Sequence, residues 1–183
     1  NGVNLIAFGE LVLSGYMCKE KFFELAEPIV GPSTDKVASM IKGSNTYVVF
    51  GMPELQTGSL YNSAPMIGPK GLVGVCRKLQ PATFASPTAG VAFDEGVYFK
   101  PGEDIAVFDT EFGRIGIQIC LDIWYPEIAR AQALAGAWLI VHPSATAIRI
   151  KGEQVSPYTS VRARENIVYW CYINEVGEQA ERE

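Results

Sequence analysis

The sequence contains a single histidine, His142, among 183 residues. With so little imidazole, general-base chemistry in this chain has to be sought among carboxylates as well. Four cysteines, Cys18, Cys76, Cys120 and Cys171, are widely spaced and form no C-x-x-C pair. That spacing argues against a zinc site or other metal centre and makes a poor disulfide framework, so a reducing, cytoplasmic setting is expected. No apolar run approaches the roughly 18–20 residues of a membrane helix, and Asn1-Gly2-Val3-Asn4 lacks the basic stretch of a signal peptide. Basic residues are outnumbered 15 to 20, for a net charge of −5. This gives no support for nucleic acid or an anionic membrane as a partner. Glycine and proline, 18 and 11 residues, fall short of the roughly 25–30% share that marks low complexity. Neither a repeat nor a linker divides the chain, so one domain over residues 1–183 is expected.

What is present reads as alternating strands and helices. Leu5-Ile6-Ala7-Phe8 is a buried strand. Residues 18–30 space Phe22, Phe23, Leu25, Ala26 and Ile29 as a helix would, and Ser33 or Thr34 caps a second helix stopping at Gly43. Residues 46–50 form another buried strand, and residues 61–67 and 72–78 flank the turn Pro69-Lys70-Gly71. Residues 79–102, punctuated by Pro81, Pro87, Gly90, Gly96, Pro101 and Gly102, read as a long irregular segment. A second hairpin spans residues 105–120, and a helix opens at Pro126 and ends before Gly136. Residues 138–141 are a strand stopped by Pro143. A helix from Ser156-Pro157 to Asn166, a strand over 168–174 and a polar, frayed tail over 178–183 complete the chain. Continuous apolar strands among helices, with hairpins between, predict an α/β fold with mixed sheets.

In such sheets, active sites gather at the carboxyl ends of strands. Glu10, Lys78, Cys120, His142 and Asn174 stand there. Cys120 leads within six residues to the helix at Pro126. Backbone N–H groups and the helix dipole would favour its thiolate, while the alternative is a buried apolar cysteine closing a strand. His142, directly before Pro143, is either a satisfied structural histidine or the base of a papain-like Cys–His pair. Glu10 is a candidate proton acceptor or simply a charged strand end. Lys78 is a cation for a developing oxyanion or a solvated lysine. Glu95 reads, by itself, as a solvated loop residue.

Taken together, the stretches Phe8-Gly9-Glu10-Leu11-Val12-Leu13-Ser14-Gly15-Tyr16, Cys76-Arg77-Lys78-Leu79 and Gly116-Ile117-Gln118-Ile119-Cys120-Leu121-Asp122, with Tyr125-Pro126-Glu127, resemble the nitrilase superfamily of carbon–nitrogen hydrolases. Gly136-Ala137 leading to Pro143-Ser144-Ala145, and Arg162-Ala163-Arg164-Glu165-Asn166 followed by Asn174 and Gly177, extend the match across residues 4–177. The resemblance implies a four-layer α-β-β-α sandwich. It implies Glu10 as general base, Lys78 as oxyanion-side cation, Cys120 as nucleophile and Glu95 as a further glutamate orienting Lys78 or water. The Leu121 backbone N–H would join Lys78 in holding the oxyanion. It further implies a small-molecule amide substrate, no cofactor or metal, and a homodimer or larger assembly through the helix after the cysteine.

Cys120-Leu121-Asp122 is similar to the amidase and carbamoylase branches, since true nitrilases usually carry Trp-Glu after the cysteine. Linear amides are therefore the first expectation, N-carbamoyl compounds the second and nitriles the third. A non-catalytic assembly subunit of the same fold is a further alternative. Gly9 replaces the family's usual proline, and Gln80-Pro81 stands where histidine is common. The family's first strand–helix unit and last strands are expected to be missing. The sheets would then expose edges, with poor stability or no turnover for this length of chain.

Overall fold

The computed structural model describes residues 2–86, 91–146 and 155–177. The expected polar tail over 178–183 lies outside the described residues. The first sheet holds β1 (Leu5–Ala7), β2 (Tyr47–Val49), β3 (Met52–Gln56), β4 (Ser59–Gly68) and β5 (Gly71–Arg77). β1 and β2 are parallel. The long β4 runs antiparallel to β2 and β3 along one edge and to β5 along the other. A two-stranded hairpin follows, β6 (Thr83–Ser86) with β7 (Val91–Asp94). The second sheet holds β8 (Val107–Thr110), β9 (Gly113–Ile117), β10 (Ala137–Ser144) and β11 (Tyr169–Asn174), ordered β11-β10-β9-β8. Its first three neighbours in that order are parallel and β8 is antiparallel to β9. The helices are α1 (Phe22–Leu25), α2 (Pro32–Met40), α3 (Glu95–Tyr98), α4 (Pro126–Leu134) and α5 (Val155–Asn166).

The two-residue period of a strand decides the layering. Tyr47 and Val49 of β2 face inward with Ala64, Met66 and Cys76, and meet Ile115, Ile117, Ile119 and Val141 of the second sheet. Val48, between them, faces outward with Phe50, Met52 and Ile67, where α2 covers them with Val37, Ala38 and Ile41. On the far side, α4 buries Ile128, Ala129 and Gln132. The Gln132 amide donates to the carbonyls of Ile117 (2.7 Å) and Ala106 (3.2 Å). The result is the helix–sheet–sheet–helix sandwich that the resemblance implies. Each buried aliphatic side chain between the sheets contributes about 1.5–3 kcal/mol. Truncating one, such as Ile117→Ala, would cost about 2–5 kcal/mol.

The structure departs from the sequence reading at five places. The expected helix over 18–30 shrinks to a 3-10 turn at Lys19–Lys21 and the four-residue α1. Pro28 holds Glu27 out of the helical region, and Glu27 instead bridges to Glu54 of β3. The cap of α2 is Gly31, not Ser33 or Thr34. Thr34 sits one turn in, its hydroxyl accepting from the Gly31 N–H at 2.8 Å. β3 pairs with β4 across Thr57-Gly58, both at positive φ (47° and 77°), a hairpin turn that Gly58 signalled. Residues 79–102 are not irregular throughout, for they hold β6, β7 and α3. Pro143 does not stop β10, which runs on to Ser144. The Val141 carbonyl accepts from Gln118 on the β9 side. Pro143, two residues on, faces that same side where β9 has already ended, so its missing N–H leaves no gap in the ladder.

Candidate active site

Glu10, Lys78 and Glu95 come together in one buried cluster, at 0%, 1% and 3% relative exposure. The chain reaches Glu10 just after β1, in a turn that leans on Gly51. A Cβ at Gly51 would lie 2.2 Å from the Leu11 nitrogen, so only glycine allows this approach. Lys78 follows β5 directly, its backbone fixed by Asn62 and Gly102 at 2.8 Å each. Glu95 opens α3 behind the β6–β7 hairpin. This overturns its reading as a solvated loop residue, because its side chain turns inward.

The Lys78 ammonium donates to Glu10 Oε1 at 2.6 Å and to Glu95 Oε1 at 2.7 Å. An ammonium has three protons, so one remains for another acceptor. Glu10 Oε1 also accepts from the Asn62 amide at 2.8 Å, and Oε2 from the Ala145 N–H at 2.9 Å. A carboxylate has about four acceptor positions, so Glu10 keeps one on Oε2. Glu95 accepts from the Tyr16 hydroxyl as well, and from the Ala82 N–H at 3.1 Å. Burial works against the Lys78 charge, yet Glu10, Cys120 and Glu95 outweigh it and raise the ammonium pKa above its ordinary value. Burial raises the Glu95 carboxyl above the usual range, with Lys78 pulling the other way and Glu10 adding to the rise.

Cys120 stands at the start of a 3-10 turn, Cys120–Trp124, between β9 and α4. Its φ is +46°, a left-handed backbone that costs a side-chain-bearing residue energy and recurs at functional positions. Leu121 is next in the same turn. Cys120 as a residue is half-buried, with Thr146 Oγ1 3.9 Å from the sulfur and Ser144 Oγ 2.8 Å beyond. Burial and the Glu10 charge push the thiol pKa up to about 12, against the opposing pull of Lys78. The resting sulfur therefore keeps its proton, contrary to the thiolate that a helix terminus alone would favour. An attack by this sulfur needs a base at the moment of bond formation.

His142 is not that base. Its Nδ1 accepts from the Trp170 indole at 3.2 Å, and its Nε2 bonds the backbone carbonyl of Cys120 at 2.9 Å, not the thiol. Burial lowers its pKa to about 4, so the ring is neutral at physiological pH. The papain-like pairing is thereby overturned in favour of a structural histidine. Asn174 lies at the same end, its amide oxygen accepting from the Thr146 N–H at 2.8 Å.

Sequence reasoning passed over Asn62, Tyr16, Ala82 and Ala145 as partners of the carboxylates. Asn62 carried a signal, a polar amide inside a strongly apolar strand where asparagine is depleted. The backbone donors carried none. Among the described residues, no cluster of His, Cys, Asp and Glu could hold a metal ion, and no helix is long and apolar enough to cross a membrane.

The family model of carbon-nitrogen hydrolases matches residues 1–183, and the chain belongs to that family. The chain is 34% identical over 186 residues to the nitrilase of Pyrococcus abyssi, covering 97% of this chain and 64% of that protein. It is 32% identical over 170 residues to the omega-amidase NIT2 of Homo sapiens, covering 92% of this chain and 61% of that one. Saccharomyces cerevisiae Nit3, a member of branch 10 of the nitrilase superfamily, shares the fold with a TM-score of 0.81 at 24% identity, over 98% of this chain and 65% of its own. The chain thus spans less than two thirds of the length of these relatives.

Proposed function

We propose that this site hydrolyses the carbon–nitrogen bond of a linear amide through a thioester on Cys120. The observation that carries the reading is one buried ammonium shared by two carboxylates, Lys78 between Glu10 and Glu95, at the end of the sandwich where Cys120 stands. Glu10 takes the Cys120 proton on its remaining Oε2 position as the sulfur attacks the amide carbon. The third proton of Lys78 and the Leu121 N–H hold the negative charge that develops on oxygen. The tetrahedral adduct collapses, the C–N bond breaks, and the nitrogen takes the proton from Glu10 and leaves as ammonia or an amine. Glu10 then removes a proton from water, hydroxide attacks the thioester, and the sulfur recovers a proton as the acid departs. Glu95 keeps Lys78 aimed and stands beside the incoming water.

Linear amides come first because Cys120-Leu121-Asp122 lacks the Trp-Glu of nitrilases, and an omega-amidase is among the relatives. N-carbamoyl compounds come second, supported by 34% identity to the N-carbamoylputrescine amidase of Solanum tuberosum. Nitriles come third. The reading carries with it a single domain, a cytoplasmic setting and assembly into a homodimer or larger oligomer through α4. An ammonia-release screen on short amides, omega-amides and carbamoyl amino acids, run on the full-length protein and its Cys120→Ala variant, tests the activity. Release by the unmodified protein alone is expected. Equal release from both would sink the mechanism, and none from either would favour the non-catalytic assembly subunit.

A further inference from the structure

Asp122 is fully buried, at 1% relative exposure, two residues after Cys120. Its carboxylate divides its oxygens between two parts of the chain. Oδ2 accepts from the Ile119 N–H at 2.9 Å, and Oδ1 accepts from the Gln80 N–H at 2.9 Å.

The first arm closes a ring. The Asp122 N–H donates to the Ile119 carbonyl at 3.0 Å while the Asp122 side chain returns to the Ile119 N–H. This reciprocal pair encloses only Cys120 and Leu121, and it holds the turn in which Cys120 adopts its left-handed φ of +46°. The second arm grips Gln80, two residues after Lys78. Lys78 comes from the first sheet and Cys120 from the second. The Asp122 carboxylate spans the space between the segments that carry them.

We propose that Asp122 is a positioning residue that ties the Lys78 strand end to the Cys120 turn and so fixes the ammonium relative to the sulfur. This rests on the reading of the site as a thiol amidase. The Lys78 ammonium and the buried Cys76 thiol both feel the Asp122 charge. Loss of its negative charge near the sulfur would by itself favour the thiolate and speed alkylation, so a slowing reports the geometry.

Asp122→Asn keeps the volume and one acceptor oxygen, enough for Ile119, but turns a donor toward Gln80. The test measures the rate at which iodoacetamide alkylates Cys120 in the full-length protein, located by mass spectrometry, with kcat and KM for butyramide alongside. Without the Gln80 arm, Lys78 no longer sits where it favours the thiolate. Alkylation is expected to slow on the order of 10-fold, and kcat to fall by roughly 10- to 100-fold with KM little changed. In a Lys78→Met background the same substitution should slow alkylation no further.

An alkylation rate within twofold of the unmodified protein overturns the proposal. So does an equal slowing in the Lys78→Met background, because the effect would then bypass Lys78. If Asp122→Asn does not fold, Asp122→Glu, which keeps both oxygens but displaces them by a methylene, is held to the same outcomes. Butyramide turnover by the unmodified protein tests the amidase reading, whereas the alkylation comparison needs no turnover, so the two fail separately.

Discussion

Cys120 and His142 meet through the backbone, the imidazole Nε2 standing 2.9 Å from the Cys120 carbonyl oxygen. An indole N–H can only donate, so the Trp170 contact makes Nδ1 the acceptor and leaves the ring proton on Nε2. The neutral imidazole thus donates to the peptide of the residue it would otherwise deprotonate. It holds the strained turn in place.

That arrangement makes stability depend on pH. Unfolded, the ring takes its proton near pH 6.5, and folded only near pH 4. Between those values the unfolded chain binds the extra proton, so the contribution is intact above 6.5 and declines as pH falls toward 4. The His142 contribution by itself falls by about 2 kcal/mol between pH 7 and pH 5, while Asp122, which burial raises to about pH 7 in the folded chain, takes up a proton there and pulls the total the other way. Urea unfolding of the protein and of His142→Phe at both values checks this: the unmodified protein should lose about 2 kcal/mol relative to the variant between pH 7 and pH 5, and the variant should be less stable at pH 7.

Lys78→Met removes the cation and leaves Glu10 and Glu95 facing each other in a dry site. The loss should be about 3–5 kcal/mol at pH 7, read by urea unfolding. It should shrink as pH falls, because Glu95, already raised by burial, then takes up a proton. Turnover should vanish with the ammonium.

Cys120→Ala and Cys120→Ser should abolish ammonia release while the melting temperature stays within a few degrees of the unmodified protein. Circular dichroism melts and an ammonia assay on the same preparations separate chemistry from folding. Loss of the cooperative melt in both variants would instead make the thiol a structural group.

Glu95→Gln keeps the shape but weakens the hold on Lys78. A fall in kcat of roughly 10- to 100-fold is expected, larger than any change in KM. Tyr16→Phe removes only the hydroxyl that donates to Glu95, and should cost less. Steady-state kinetics on both variants checks the ordering.

The strand-end residues were legible because each follows an apolar run, and a charge or thiol in that place stands out. The partners of Glu95 were not. Lys78, Tyr16 and the Ala82 N–H lie 17, 79 and 13 residues away, and no local pattern announces such contacts. The missed β6–β7 hairpin lies between Pro81 and Gly96, whose turn chemistry resembles that of a loop. The overlong first helix was an error of a different kind. Apolar spacing through Ile29 suggested continuation, while Pro28 had already forbidden it.

Glu10 projects from the first sheet, yet its second oxygen is anchored by the Ala145 N–H, immediately after the last strand residue of β10 in the second. Glu10, the proton acceptor of the proposed reaction, is therefore a rivet across the seam of the sandwich. On that reading any slippage of one slab against the other would disturb the chemistry directly, and turnover would report such shear well before the molecule melts.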